Sequence, residues 1–332
     1  MILASCVSVR LFGTTLLLAV AAFVCKPTFA DTEFKISHDR PADSAADNDV
    51  RALVAEVEKA TDLRFKIFPA NSLGDYDTVQ RHVGEGTVEM ALEPASSAED
   101  ARFNIGALPS LNQDWKEARA RFGKGGALRE AMESLFAQHG IHVLAVYPQY
   151  FGGISLPRDP RSDGRAAIRV RVPKPLSFFA SAWGFTPVAL PFPQTRQAFR
   201  AATIDGVAGS GAEGCYENFL DYTKYYLVAN THFEVWYLLI NRDRYDSLPR
   251  GYRETFNRAS AYFEARRWSR AEDLQAFNEL RLRDSGVVIV RPPPEDMARV
   301  AASVRAKYWP AILDRMGKSY ADGVLAAAGV PR

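Results

Sequence analysis

Residues 168–190 read IRVRVPKPLSFFASAWGFTPVAL. Ile168, Val170 and Val172 alternate with Arg169 and Arg171, the period-two pattern of a strand with one buried face. Pro173 ends that strand, because proline has no amide hydrogen to give to a ladder. Ser177 to Trp183 suits a helix that Gly184 terminates, and Pro187 to Leu190 is a second strand. The same alternation extends outward. Phe34 to Ile36, Leu63 to Ile67, Val88 to Leu92 and Ile141 to Val146 read as strands. Asn48 or Asp49 can cap a helix carrying Val50, Leu53, Val54 and Val57 at helical spacing. Residues 114–138 read as one helix, 194–202 as a shorter one, and 295–316 as a closing helix after a strand at Val287 to Val290. Strands alternating with helices imply mostly parallel sheets covered by helices, the α/β class. From Leu248 to Asp284 the pattern fits one helix of about 50 Å or two helices broken near Arg267.

The first thirty residues stand apart. Arg10 precedes an apolar run from Leu11 to Val24, and Thr28-Phe29-Ala30 offers small residues at an exit, the pattern of a secretory leader. The expectation is cleavage after Ala30 and a periplasmic mature chain; Cys25 follows Val24 rather than a small residue, which disfavours lipid attachment. Without Arg10 and Lys26 the formal charge falls from +2 to zero, which argues against nucleic acid or a charged membrane surface as partner. Only Cys215 is then left, so no internal disulfide is expected.

Several chemistries lack their residues. The five histidines show no metalloprotease spacing, and Gly140 separates His139 from His142. Gly125 stands where a phosphate loop beginning Gly123-Lys124 would need Ser or Thr. Ser210 lies between Gly209 and Gly211, but a nucleophile elbow needs glycines two residues away, where Ala208 and Ala212 stand. No cofactor, metal or catalytic residue is expected. A secreted hydrolase using Ser210 and a ligand-sensing partner of a membrane receptor are the rival functions.

Arg171 is the most informative residue. It sits at the carboxyl end of its strand, where open α/β sheets gather ligands. A guanidinium there can grip a carboxylate through two parallel hydrogen bonds. Pattern alone also allows a solvated or structural arginine.

Taken in order, five motifs resemble the DctP-type solute-binding proteins of TRAP transporters. They are Asn71-Ser72-Leu73-Gly74, G-T-V-E-M at Gly86 to Met90, Ile168 to Pro173, Gly184 to Val188, and Ala198 to Gly206. The resemblance covers nearly the whole chain after the leader. It implies a two-lobed periplasmic-binding-protein-like fold with mixed or parallel sheets and a single long helix spanning both lobes. It implies a monomeric receptor that closes on a small organic acid and delivers it to a membrane permease, with Arg171 on the family's carboxylate-binding arginine. Lobe I is expected over 31–151 plus 240–275 and lobe II over 152–239 plus 276–332, crossing near 147–153 and 236–241.

The chain departs from the family pattern in ways that bear on the ligand. No second arginine follows Tyr147, and Val207 to Gly214 replaces the usual Gln-Glu-Asn and lacks the Gln/Glu-Trp pair of metal-assisted receptors. One arginine among aromatics suggests a monocarboxylate with an apolar or aromatic body. Tyr147, Tyr150, Phe151 and Trp236 are expected to line it. Glu213 and Glu234 would accept from a ligand hydroxyl or amine; each otherwise reads as a surface carboxylate, and for Glu234 that reading is the favoured one. His38 would donate, with Gln149 and Ser210 completing the ligand-facing set.

Overall fold

A computed structural model describes residues 33–162, 164–173 and 178–330. The leader, its cleavage site and Cys25 lie outside the described residues. The chain begins with β1 (Glu33–His38), α1 (Ala45–Ala60), β2 (Arg64–Phe68), α2 (Tyr76–Glu85) and β3 (Met90–Pro94). After a 3-10 segment at Ala101–Ala107 come α3 (Trp115–Phe122), α4 (Ala127–Gln138) and the long strand β4 (Ile141–Phe151). A second group follows: β5 (Ile154–Leu156), β6 (Arg169–Val172), α5 (Phe178–Ala182), β7 (Thr186–Ala189), α6 (Thr195–Arg200), β8 (Gly206–Ala208), α7 (Ala212–Phe219) and β9 (Tyr225–Leu227). The chain ends with β10 (Phe233–Asn241), α8 (Arg242–Ser247), α9 (Arg250–Asp284), β11 (Val288–Val290), α10 (Pro294–Met316) and α11 (Lys318–Ala327).

Two mixed sheets divide these strands. The first runs β2-β1-β3-β10-β4 and the second β11-β9-β5-β8-β6-β7. In the first, β1 is parallel to β2 and β3, and β10 is antiparallel to β3 and β4. In the second, β6 is parallel to β7 and β8, while β5 runs antiparallel to β8 and β9. β10 pairs along its whole length with β4, so Phe233–Asn241 belongs to the first sheet. The closing helices are also shared between lobes. Trp309 donates its indole N–H to Pro109 O, and α10 packs on α5 as well as on the 3-10 segment.

The helix expected over 114–138 is two helices. Gly123, Lys124, Gly125 and Gly126 interrupt it, and Gly125 sits at φ +78°, outside the helical region and open to glycine. The long helix is one. Its 35 residues reach about 52 Å at 1.5 Å each.

The first half of α9 buries Phe256 and Phe263 with Phe34, Leu53, Val57 and Tyr147 on one face of the first sheet. Further along it meets β4, an edge strand whose outer backbone groups need partners. Three polar side chains of α9 supply them. Glu264 accepts from Val146 N (2.9 Å), Arg267 donates to Pro148 O (2.6 Å), and Gln275 accepts from Phe151 N (2.9 Å). Beyond that point Leu282 packs with Cys215 and Tyr226 of the second lobe.

The chain crosses between lobes at Gly152-Gly153 and, close beside it, at Thr231-His232. Gly152 N donates to His232 O and Thr231 N to Gly152 O, tying the two crossings together. A Cβ at Gly152 would meet His232 Nδ1 at 2.6 Å, and one at Gly153 would collide with the Tyr226 ring. Only glycine lets the crossings lie this close.

Candidate functional site

The two sheets present the carboxyl ends of β1, β3, β6 and β8 beside these crossings. From the second lobe comes Arg171. The residue is 5% exposed, and its Nε donates to Leu190 O (2.9 Å), just past the end of β7. Its guanidinium stands 5.6 Å from the centre of the Phe192 ring. Among the described residues neither Nη is hydrogen-bonded and no carboxylate pairs with it. Burial pulls its pKa down to about 10, and the Tyr150 phenol is the electrostatic neighbour that opposes the fall. A nearly buried cation with four of its five N–H donors unspent among the described residues is costly to the fold.

Arg169, two residues earlier, shows the contrast. It forms a two-pronged pair with Asp205 (2.9 and 2.8 Å) and is 41% exposed at its side chain. The alternation of β6 therefore separates a surface ion pair from a buried free cation.

From the first lobe comes a second arginine, Arg40, two residues past β1. Its side chain is 23% exposed and lies over the Trp236 ring, 5.0 Å from its centre. Among the described residues the nearest acid is Asp39, at 3.7 Å, and no hydrogen bond holds the Arg40 guanidinium. Burial would lower its pKa, but Tyr150, Asp39, Glu213 and Glu234 together raise it. Tyr150 thus stands electrostatically between the arginines of the two lobes. Arg40 was not singled out from the sequence. The rule that found Arg171, a charged residue at a strand's carboxyl end, applies equally to it.

Three carboxyls surround this wall. Burial pushes Asp39 up to about 6, and its Oδ1 is buried without a hydrogen-bond partner. Glu93, near the end of β3, is 2% exposed with Oε1 unpartnered. Burial first, then Asp39, Asp77 and Asp75, hold its pKa well above the usual carboxylate range. Glu234 differs. Burial alone would raise it, but bonds from His232 (3.2 Å) and Trp236 Nε1 (2.7 Å) hold it below the ordinary value. It is neither a free surface acid nor an unspent acceptor.

Residues 36–312 match the DctP model, bacterial extracellular solute-binding protein family 7. The chain belongs to the DctP family. A curated solute-binding protein of Albidiferax ferrireducens is 33% identical over 111 residues, 30% of this chain and 33% of that protein, so the match spans a third of its length. A solved extracytoplasmic receptor of Bordetella pertussis that binds pyroglutamic acid superposes with a TM-score of 0.78 at 23% identity, over 90% of this chain and 99% of that one. A TRAP periplasmic solute-binding protein of Haemophilus influenzae with bound L-gulonate gives 0.76 at 19%, over 89% and 99%. One from Desulfovibrio salexigens with bound orotic acid gives 0.76 at 20%, over 90% and 98%. The fold of the DctP family, two lobes joined by one long helix, is therefore this chain's fold, and its family is one of receptors rather than enzymes.

Within this DctP-family chain the other expected residues fall into two groups. Tyr147, Phe151 and Trp236 are taken up by packing. The Tyr147 hydroxyl donates to Asp49 (2.8 Å) and its ring stacks on Phe263. Phe151 joins Trp115 and Phe233 in the core. Trp236 is 1% exposed beneath Arg40. His38 is turned into the fold, its Nε2 3.0 Å from the buried Asp47 near the start of α1. Gln149 accepts from Arg267 through Oε1 (3.0 Å), leaving Nε2 unpartnered.

Tyr150, Glu213 and Ser210 stay where the lobes meet. The Tyr150 ring lies directly against Gly211, Glu213 is in the first turn of α7, and Ser210 O accepts from Gly153 N (3.0 Å). Ser210 has no histidine or acid bonded to its hydroxyl among the described residues.

Proposed function

We propose that this protein binds a small organic acid between its lobes, one carboxylate on Arg171, and delivers it to a TRAP permease outside the cytoplasmic membrane. We further propose that residues 1–30 are the leader that exports it. The observation that carries the reading is the Arg171 side chain, 5% exposed and, among the described residues, anchored at Nε alone with no acid partner. Such a fork suits the two oxygens of a carboxylate. The ligands named for the superposable receptors, pyroglutamic acid, L-gulonate and orotic acid, are all carboxylic acids.

Binding at a gap between lobes favours the closed form, because the ligand touches both walls only when they meet. The expected aromatic body has weaker support. Three of its four lining residues are packed in the core, leaving Tyr150, with Phe192 of the second lobe added. The test is a thermal-shift screen of carboxylic acids against their uncharged amides, followed by calorimetry on wild type and Arg171→Met. Acids that raise Tm where their amides do not, with the effect gone in Arg171→Met, support the reading. Equal shifts from acid and amide, or an unchanged affinity in the variant, refute it.

A further inference from the structure

The outward face of α9 carries three of the six large hydrophobic side chains left exposed among the described residues: Tyr262 (66%), Phe277 (56%) and Leu280 (45%). Single exposed apolar residues are ordinary on a protein surface, but these three share a stripe. At 3.6 residues per turn, Tyr262, Arg266, Ser269, Asp273, Phe277 and Leu280 fall within about 80° of one another around the helix, and all six are exposed. Beside the Tyr262 end, α1 and α9 leave a groove of about 600 Å³ lined in part by Ala52, Ala55, Ala259 and Phe263. The order of residues along the stripe is self-complementary. Tyr262 and Phe277 lie equally far from the point between Ser269 and Arg270; so do Arg266 and Asp273, and so do Ala259 and Leu280. An antiparallel copy of α9, related by a two-fold axis through that point, sets Tyr262 against Phe277, Ala259 against Leu280 and Arg266 against Asp273, each pairing made twice. Ser269, a small residue, then stands where the two helices come closest. Within one chain Arg266 and Asp273 are about 10 Å apart along the axis, too far to pair. Among the described residues neither has an ion-pair partner.

We infer that the outer face of α9 is an interface for a second copy of this chain, forming a two-fold dimer. Phe277 and Leu280 of each protomer seat at its partner's α1–α9 groove, against Tyr262 and Ala259, and the two Arg266–Asp273 pairs set the register. This goes beyond the receptor reading, does not use Arg171, and departs from the monomer that the family resemblance implies. The inward face of α9 is spent on β4 through Glu264, Arg267 and Gln275, so the outer face can be covered without disturbing the sheet. The contact is one helix wide and about 32 Å long from Ala259 to Leu280. That places it at the small end of specific interfaces, below about 1,200 Å². The dimer is accordingly weak, with a Kd of about 10–500 µM.

The experiment is sedimentation equilibrium on the mature protein at low ionic strength, from about 5 µM to about 1 mM. The mass should rise with concentration from one chain toward two. Phe277→Glu and Tyr262→Glu should each weaken association at least about tenfold, because aromatic anchors carry most of the energy of a small interface. Arg266→Asp alone, or Asp273→Arg alone, sets like charges opposite each other at both contacts and should weaken association at least about fivefold. The two swaps together restore opposite charges and should return Kd to within about threefold of wild type. Circular dichroism confirms that each variant folds. A single-chain mass at every concentration, as expected if the permease and not a second copy covers the stripe, overturns the dimer. So does association that survives Phe277→Glu, or a double swap no tighter than either single swap. The receptor reading is tested separately at Arg171 and stands or falls on that result.

Discussion

Replacing Arg171 by methionine should separate stability from binding. In the ligand-free protein the guanidinium is held down to about 10 by burial, which corresponds to roughly 3 kcal/mol of uncompensated charge burial. Methionine removes that cost and fills similar space. It also removes the charge-assisted bond to Leu190 O, about 1.5–3 kcal/mol, and the contact with Phe192, about 0.5–1 kcal/mol. These terms nearly cancel, so ligand-free Arg171→Met should melt within a few degrees of wild type. Binding has no such offset. Truncating one partner of a buried, hydrogen-bonded charge pair costs about 2–5 kcal/mol, a loss of about thirtyfold to several thousandfold in affinity. Differential scanning calorimetry on the ligand-free forms and isothermal titration with the best-binding acid read the two quantities independently. A variant that is several kcal/mol less stable but binds normally would show that the arginine is a structural brace, and the reasoning would fail.

Other expectations follow from the same geometry. Arg169→Ala should leave affinity within about twofold and stability within about 1 kcal/mol, since an exposed ion pair contributes little; a large loss of binding by calorimetry would put the ligand on the wrong arginine. Gly153→Ala should lower stability by about 1–3 kcal/mol in urea titrations, because its Cβ collides with the Tyr226 ring; unchanged stability would mean that the crossing relaxes freely. Asp39 gives a pH signature. Its folded-state pKa, about 6, lies above the ordinary value of 3.8, so as pH rises the unfolded chain loses this proton first. Its contribution to ligand-free stability is greatest below pH 3.8 and is lost as pH climbs from there through about 6. Tm measured against pH for wild type and Asp39→Asn should therefore diverge across that window, wild type falling relative to the variant; parallel curves would contradict the burial of this carboxyl.

How much of this was legible in the sequence depended on what each pattern averages over. Strands with one buried face announced themselves by alternation, and β6 also gave Arg171 because a proline marked where the strand stops. Cross-strand partnership left no such mark. Tyr147 lies opposite Trp236 and Phe151 opposite Phe233, pairings that put these rings in the core, but they join residues some eighty positions apart. Polar residues of α9 carried no mark of their role either. Glu264, Arg267 and Gln275 serve the open edge of β4, a strand more than a hundred positions earlier. Arg40 was readable by the logic used on Arg171 but was passed over for His38, whose imidazole the fold spends on Asp47.

The treatment of buried charge elsewhere in the chain sharpens the assignment. Arg121 is 8% exposed and donates to Leu111 O, Asn112 and Glu117. Arg267 is 5% exposed and satisfied by Pro148 O and Gln149. Asp47 accepts from His38, Arg51 and the Asp43 amide. A sequence able to partner those groups leaves Arg171, at the carboxyl end of β6, with both Nη atoms unbonded among the described residues. The free energy withheld from the fold there returns on binding. At a ligand concentration a hundred times Kd the gain in stability is about 2.7 kcal/mol. A chain of this size should show it as a rise in Tm of a few degrees. Arg171→Met should diminish that rise without lowering the ligand-free Tm by more than a few degrees. If instead the variant lost ligand-free stability and kept the full ligand-induced rise, the guanidinium would be part of the scaffold, and the acid would bind elsewhere.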